Sequence, residues 1–178
     1  LDYDSLQEHH PGLIMCALTP FGQTGPWRDY TTSDLLHMAA GGQMASCGYD
    51  EADAPGAPPI APGGGNAWHM GCHYAYIAIM AALVYRTVTG RGQYIDASIH
   101  EACALTTEAA IPNYIYRHEV VRRQTGRHHA AGPTPRTQFR SQDGKYVTAL
   151  VAGRLNPRYI KDLAELLDSY GMAGDLKD

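Results

Sequence analysis

From Ala54 to Ile95 the chain contains neither aspartate nor glutamate. No side chain in that stretch can therefore act as a covalent carboxyl nucleophile or as a carboxylate base. Among the cysteines, Cys16, Cys47, Cys72 and Cys103, no pair has the CxxC spacing. In a chain of 178 residues such scattered cysteines read as reduced thiols, not as a disulfide framework. No Gly-Lys-Ser or Gly-Lys-Thr accompanies the glycine run at 63–65, so a nucleoside triphosphate loop is unsupported. A net charge of -4 without a basic stripe argues against nucleic acid as the main partner. The opening residues are polar and acidic, unlike the basic-then-apolar pattern of a secretory leader, and a cytoplasmic protein is expected. Residue 1 is Leu, not Met, so a piece of a longer chain is expected.

Hydrophobic residues make up 44% of the chain, which suits the core of about one domain. The run 67–85 carries no formal charge and has the length of a membrane span. It also holds Trp68, His69, Gly71, His73, Tyr74 and Tyr76, too many polar groups for hydrocarbon. A helix buried inside a soluble protein is expected, with no membrane partner.

Residues 13–18, Leu-Ile-Met-Cys-Ala-Leu, form an apolar run suited to a parallel strand buried on both faces. The breaker-rich segment 19–26 follows as a loop. Thr32 or Ser33 can cap a helix over 34–40, stopped by Gly41-Gly42. Residues 49–62 read as a surface loop. A long helix over 66–88 ends at Gly90, a natural left-handed cap, with Arg86 suiting the helix dipole. A strand over 93–99 follows, then a helix over 100–110 ended by Pro112. This alternation is the rhythm of an α/β unit with parallel strands. Residues 122–136 shift to basic, Gly and Pro residues and read as a linker between a domain at 1–121 and another at 137–178. The second opens with a hairpin over 137–152, turning at 141–144, and a helix from Asn156-Pro157 to Tyr170.

Four groups of residues could carry chemistry. The loop Phe21-Gly22-Gln23-Thr24-Gly25-Pro26 leaves the carboxyl end of a buried strand, where open α/β sheets place ligands. Gly63-Gly64-Gly65 precedes a helix start and offers backbone N–H groups to a carbonyl, carboxylate or phosphate. His69 and His73 lie one helical turn apart around Cys72, a zinc-compatible spacing with no evident third ligand, and no metal is expected. The basic group Arg122, Arg123, Arg127, His128, His129 and Arg136 could meet phosphates but reads better as a solvated linker.

Taken in order, several segments resemble one family. They are Pro62-Gly63-Gly64-Gly65-Asn66, the uncharged helix, Ala82-Leu83-Val84-Tyr85-Arg86, Thr89-Gly90-Arg91-Gly92-Gln93, the strand Tyr94-Ile95-Asp96-Ala97-Ser98-Ile99 and His100-Glu101-Ala102. Together they resemble the family III CoA-transferases of the CaiB/BaiF type, whose relatives include α-methylacyl-CoA racemases. The resemblance implies an α/β fold: a Rossmann-like open parallel sheet, here the second half of a large domain, and the start of a smaller α+β domain. It implies coenzyme A as substrate thioester, an acyl-CoA and a carboxylic acid as partners, and an interlocked homo- or heterodimer.

In that family an Asp follows the glycines and attacks the acyl-CoA, forming a mixed anhydride and then an aspartyl-CoA thioester. Here Asn66 stands in the slot; an ungapped count back from Arg86 puts Trp68 there instead. Asp53 and Asp96 flank the acid-free stretch. The resemblance also implies that Phe21, Gly22, Gln23, Gly64 and Gly65 contact the CoA thioester, with Gln23 donating to its oxygen. The expectation is a CoA-transferase subunit whose catalytic Asp comes from a second chain. The alternatives are a racemase-like enzyme using His69 or His73 as its base, or a CoA-thioester-binding paralogue without catalysis.

Overall fold

The computed structural model describes residues 2–149 and 157–174. They divide into two compact units, one of residues 2–125 and 129–133, the other of 126–128, 134–149 and 157–174.

The first unit is an α/β assembly. A short helix α1 (Tyr3–Gln7), capped by Asp2, leads to strand β1 (Met15–Thr19). Helix α2 (Asp34–Ala40) starts where Ser33 accepts a hydrogen bond from the Leu36 N–H, and helix α3 (Gln43–Ser46) follows the Gly41-Gly42 break. Helix α4 (Asn66–Thr89) ends at left-handed Gly90, whose N–H donates to the Arg86 carbonyl. Strand β2 (Tyr94–Ser98) then runs parallel to β1, pairing Met15 with Tyr94 through to Thr19 with Ser98. The parallel pairing anticipated from the α/β rhythm is therefore present.

The Thr89-Gly90-Arg91-Gly92-Gln93 turn has a steric cause. A Cβ on Gly92 would sit 1.7 Å from the Leu13 carbonyl oxygen, so only glycine lets the turn enter β2 against β1. Gly92 N–H also donates to the Pro11 carbonyl at 2.8 Å, fixing where the two strands begin to pair.

Helix α4 differs from the enclosed helix anticipated. Its buried residues are Ala67, Gly71, Ala75 and Ala82, a strip of small side chains. That strip permits close packing: a Cβ on Gly71 would meet Ile99 Cγ1 at 2.8 Å. Tyr76, Ile77, Val84 and Val88 on other faces are 60–83% exposed. By length and composition α4 could cross a membrane. Here its small-residue strip packs on the elements around β2, Met70, Ala78, Ile79 and Leu83 are half-buried, and the opposite flank is uncovered.

The core joins Met38, Ala67, Ile99 and Cys103, with Met44 and Met70 against it. Buried Gln43 donates to the Cys103 carbonyl and, at 2.5 Å, to the Thr106 hydroxyl, tying α3 to α5 (Ile99–Leu105). Pro112 does not end a helix as anticipated. It lies in the first turn of α6 (Ala110–Arg117), where N–H groups have no intrahelical acceptor and a missing donor costs nothing.

Residues 122–136, read as a linker, are shared between the two units and carry two isolated bridges, Arg122 with Ala130 and Arg127 with Arg136. The second unit holds the anticipated antiparallel hairpin, β3 (Gln138–Arg140) with β4 (Tyr146–Thr148), and helix α7 (Pro157–Ser169). The Asn156 cap and the far end of the hairpin lie outside the described residues.

Candidate functional site

The carboxyl ends of β1 and β2 meet at Thr19 and Ser98. There the Pro20 carbonyl accepts the His100 N–H at 3.0 Å, which brings the chain leaving β1 onto the start of α5. Phe21 is thereby set among rings from three other segments. Its centroid lies 5.1 Å from His37, 5.4 Å from His100 and 5.9 Å from Trp27. His37 faces Trp68, in the first turn of α4, edge-on at 6.0 Å, and lies 6.2 Å from His100. Trp27 packs on His100 at 5.5 Å. The rings pack against one another as a ring box at the carboxyl ends of the parallel strands, the usual ligand position of open α/β sheets.

The box is apolar in its walls and unsatisfied inside. His37 is 0% exposed, and neither of its ring nitrogens has a hydrogen-bond partner. His100 Nδ1 and Thr19 Oγ1 are also buried without partners. Buried polar groups are usually paired, so these three side chains at the strand ends stand apart from the rest of the core. Burial holds the His37 pKa below its ordinary value, the neighbouring His100 lowers it further, and Asp34 pulls the other way. A neutral imidazole offers one N–H donor and one acceptor nitrogen.

The opening of α4 borders this box. Gly64 and Gly65 take φ of +82° and +71°, conformations that suit glycine, and Gly65 caps the helix without any side chain. The cap comes from another helix: Asp34 Oδ1 accepts the Ala67 N–H at 2.8 Å. Asp34, and not the flanking Asp53 or Asp96, is the acid that reaches the acid-free helix start. Asn66 turns back, its Nδ2 donating to the Gly63 carbonyl at 2.9 Å. Of the two residues that could occupy the family slot, Trp68 lies beside the buried imidazole and Asn66 is engaged with the glycine loop.

The other anticipated site residues are distributed differently. His69 and His73 are exposed, and His73 Nδ1 lies 2.7 Å from the His69 carbonyl, a contact within the helix. The imidazoles gathered at the strand ends are His37 and His100, not these two. Phe21 enters the box, but after Gly22 the loop doubles back along β2. There the Gln23 N–H donates to both Asp96 carboxylate oxygens at 3.2 and 2.9 Å, and the Tyr94 hydroxyl donates to Gln23 Oε1. Gln23 thus has its carboxamide oxygen engaged and its NH2 as the end able to donate. Arg123 belongs to a scaffold: its guanidinium donates to the Tyr49 carbonyl at 2.6 Å and to the Ala57 carbonyl at 2.9 Å, pinning the surface loop.

His37, His100 and Trp27 escaped the reading of the sequence. The only local signal for His37 was a histidine beside Met38 on a short capped helix, which reads equally well as a core histidine.

A parallel-strand unit with a glycine-opened helix beside its carboxyl edge defines an α/β protein. The pattern of CoA-transferase family III matches residues 1–176, and the chain belongs to that family. It is similar to the succinyl-CoA–L-malate CoA-transferase beta subunit of Chloroflexus aurantiacus, 36% identical over 149 residues, covering 83% of this chain and 35% of that protein. The alpha subunit of the same organism is 32% identical over 148 residues, covering 83% and 33%. A solved CAIB/BAIF family protein from Brucella suis superposes with a TM-score of 0.72 at 28% identity, covering all of this chain and 43% of that one. The chain spans about a third of the length of those curated relatives.

Proposed function

We propose that this chain is a CoA-transferase subunit that binds acyl-CoA thioesters and carboxylic acids while a second subunit supplies the catalytic aspartate. One observation carries the reading. The glycine-opened start of α4 has no acid of its own, and the acid that reaches it, Asp34, is engaged in capping the Ala67 N–H. Transfer needs an anionic oxygen that attacks the thioester carbonyl, expels CoA thiolate, and is later regenerated. The carboxamide of Asn66 and the indole of Trp68 cannot do this. Two similar relatives carry names of alpha and beta subunits of one transferase, which supports a paired assembly. The uncovered apolar faces of α4 support an interlocked dimer, and four unpaired cysteines support a cytoplasmic location.

The test is trapping. The purified assembly is incubated with an acyl-CoA and hydroxylamine, and modified peptides are mapped by mass spectrometry. Hydroxamate confined to a partner subunit supports the reading. Hydroxamate or CoA on an Asp or Glu of this chain overturns it.

A second reading has its own observation. His37 and His100 are the imidazoles at the strand ends, and an imidazole there could take a proton from the carbon next to a thioester carbonyl. Exchange of that proton with deuterated water, without CoA transfer, would favour this racemase-like reading.

A further inference from the structure

We propose that His37 is an acid-sensitive latch: its neutral ring locks α2 and α5 to the start of α4, and on gaining a proton it leaves the ring box and frees the opening of α4.

Position is the first ground. His37 lies on α2, is 0% exposed, and meets a ring from each neighbouring segment. Phe21, from the chain after β1, lies at 5.1 Å, and His100, from the first turn of α5, at 6.2 Å. Trp68, from the first turn of α4, lies edge-on at 6.0 Å. Among the described ring contacts, that of His37 alone reaches Trp68, so the start of α4 joins the box through this one imidazole.

The second ground is what a proton does there. Neither ring nitrogen of His37 has a partner. A neutral ring tolerates this, but an imidazolium has two N–H donors and a full charge, and burying it unpaired costs far more. The groups around it do not supply that pairing. From α5 it faces His100 and the buried Cys103, whose thiol burial holds protonated, while Glu101 is exposed. From α4 it faces the indole of Trp68, while His69, Cys72 and His73 are exposed. Helix α3 holds no titratable group, and the chain after β1 presents Phe21 with Trp27 and Tyr30 beside it. The one anion acting on His37 is Asp34 of its own helix, and Asp34 Oδ1 already accepts the Ala67 N–H at 2.8 Å. The direction of the His37 pKa, below its ordinary value through burial and then His100, agrees with this cost.

The third ground is the joint itself. Asp34 and His37 lie one turn apart on α2, so an imidazolium leaving the box draws on the carboxylate that caps α4. The start of α4 then loses its ring contact and weakens its cap together. Gly64 and Gly65, both at positive φ, let that segment swing. Strands β1 and β2 pair through their backbones, so the opening is local.

The test follows the assembled protein by hydrogen–deuterium exchange and mass spectrometry across about pH 8 to 5, corrected for the intrinsic exchange rate. Expected is a reversible loss of protection of at least about tenfold in the peptide over 63–70 at the acid end, the effect of one unit of pKa difference, with β1 and β2 unchanged. Acrylamide quenching of the two tryptophans, Trp27 and Trp68, should rise over the same range. His37→Phe keeps an uncharged ring and should abolish both responses; His37→Gln serves the same comparison if the first variant does not fold. His100→Gln should keep the response and move its midpoint to higher pH, because a charge that opposes the proton is gone. An acid response undiminished in the His37 variants overturns the inference. So does its absence from the unaltered protein, or loss of protection in β1 and β2 at the same pH as in 63–70.

Discussion

Asp34, in the first turn of α2, caps the start of α4 by accepting the Ala67 N–H at 2.8 Å. Because Gly65 offers no side chain at that cap, the bond stands in for a missing local cap and ties two helices together. Asp34→Ala is expected to cost about 1–2 kcal/mol, and Asp34→Asn less, since the amide oxygen can still accept. Urea unfolding of the variants checks this; equal losses for both would show that charge, not the cap, is what matters.

His37 sets a pH dependence of stability. Its folded pKa lies below the ordinary 6.5, lowered by burial and by His100 against the opposing pull of Asp34. The unfolded chain therefore binds the proton more readily, and stability is full above 6.5 and falls as pH drops from there through the folded pKa. Urea midpoints above and below that value should show the slope, and His37→Gln should flatten it. An unchanged slope in the variant would assign the effect to other groups.

Two glycines should respond unequally to alanine. At Gly92 the added methyl would lie 1.7 Å from the Leu13 carbonyl oxygen, a backbone atom that cannot swing aside. Gly92→Ala should leave β1 and β2 unable to pair and the protein insoluble. At Gly71 the methyl meets Ile99 Cγ1 at 2.8 Å, a side chain that can shift, and Gly71→Ala should cost about 1–3 kcal/mol. Soluble yield and thermal unfolding separate the two outcomes.

Acid restoration distinguishes the two candidates for the slot. Trp68 lies by His37, whereas Asn66 holds the Gly63 carbonyl at 2.9 Å. With acyl-CoA and hydroxylamine, Trp68→Asp should acquire hydroxamate and Asn66→Asp at least about tenfold less. Labelling at position 66 alone would reverse the assignment.

The elements most legible in the sequence were those whose cause is local. Ser33 caps α2, Gly90 ends α4, and the turn at 141–144 joins β3 to β4, each within a few residues of its signal. Pro112 misled because the same residue that breaks a helix interior is harmless in a first turn. The ring box was illegible because Phe21, His37, Trp68 and His100 share no local pattern; tertiary packing alone gathers them. The cap from Asp34 escaped for the same reason, being a contact between residues 33 apart. The expectation of an enclosed α4 treated its lack of charge as burial, whereas burial follows only the small residues Ala67, Gly71, Ala75 and Ala82.

The bare flank of α4, with Tyr76, Ile77, Val84 and Val88 turned to solvent, bears on how such a chain survives in a cell. Apolar side chains along one rigid helix are what holding chaperones and degradation machinery detect in an orphaned polypeptide. Abundance would then follow the supply of whatever covers that flank, and excess copies would be cleared instead of accumulating.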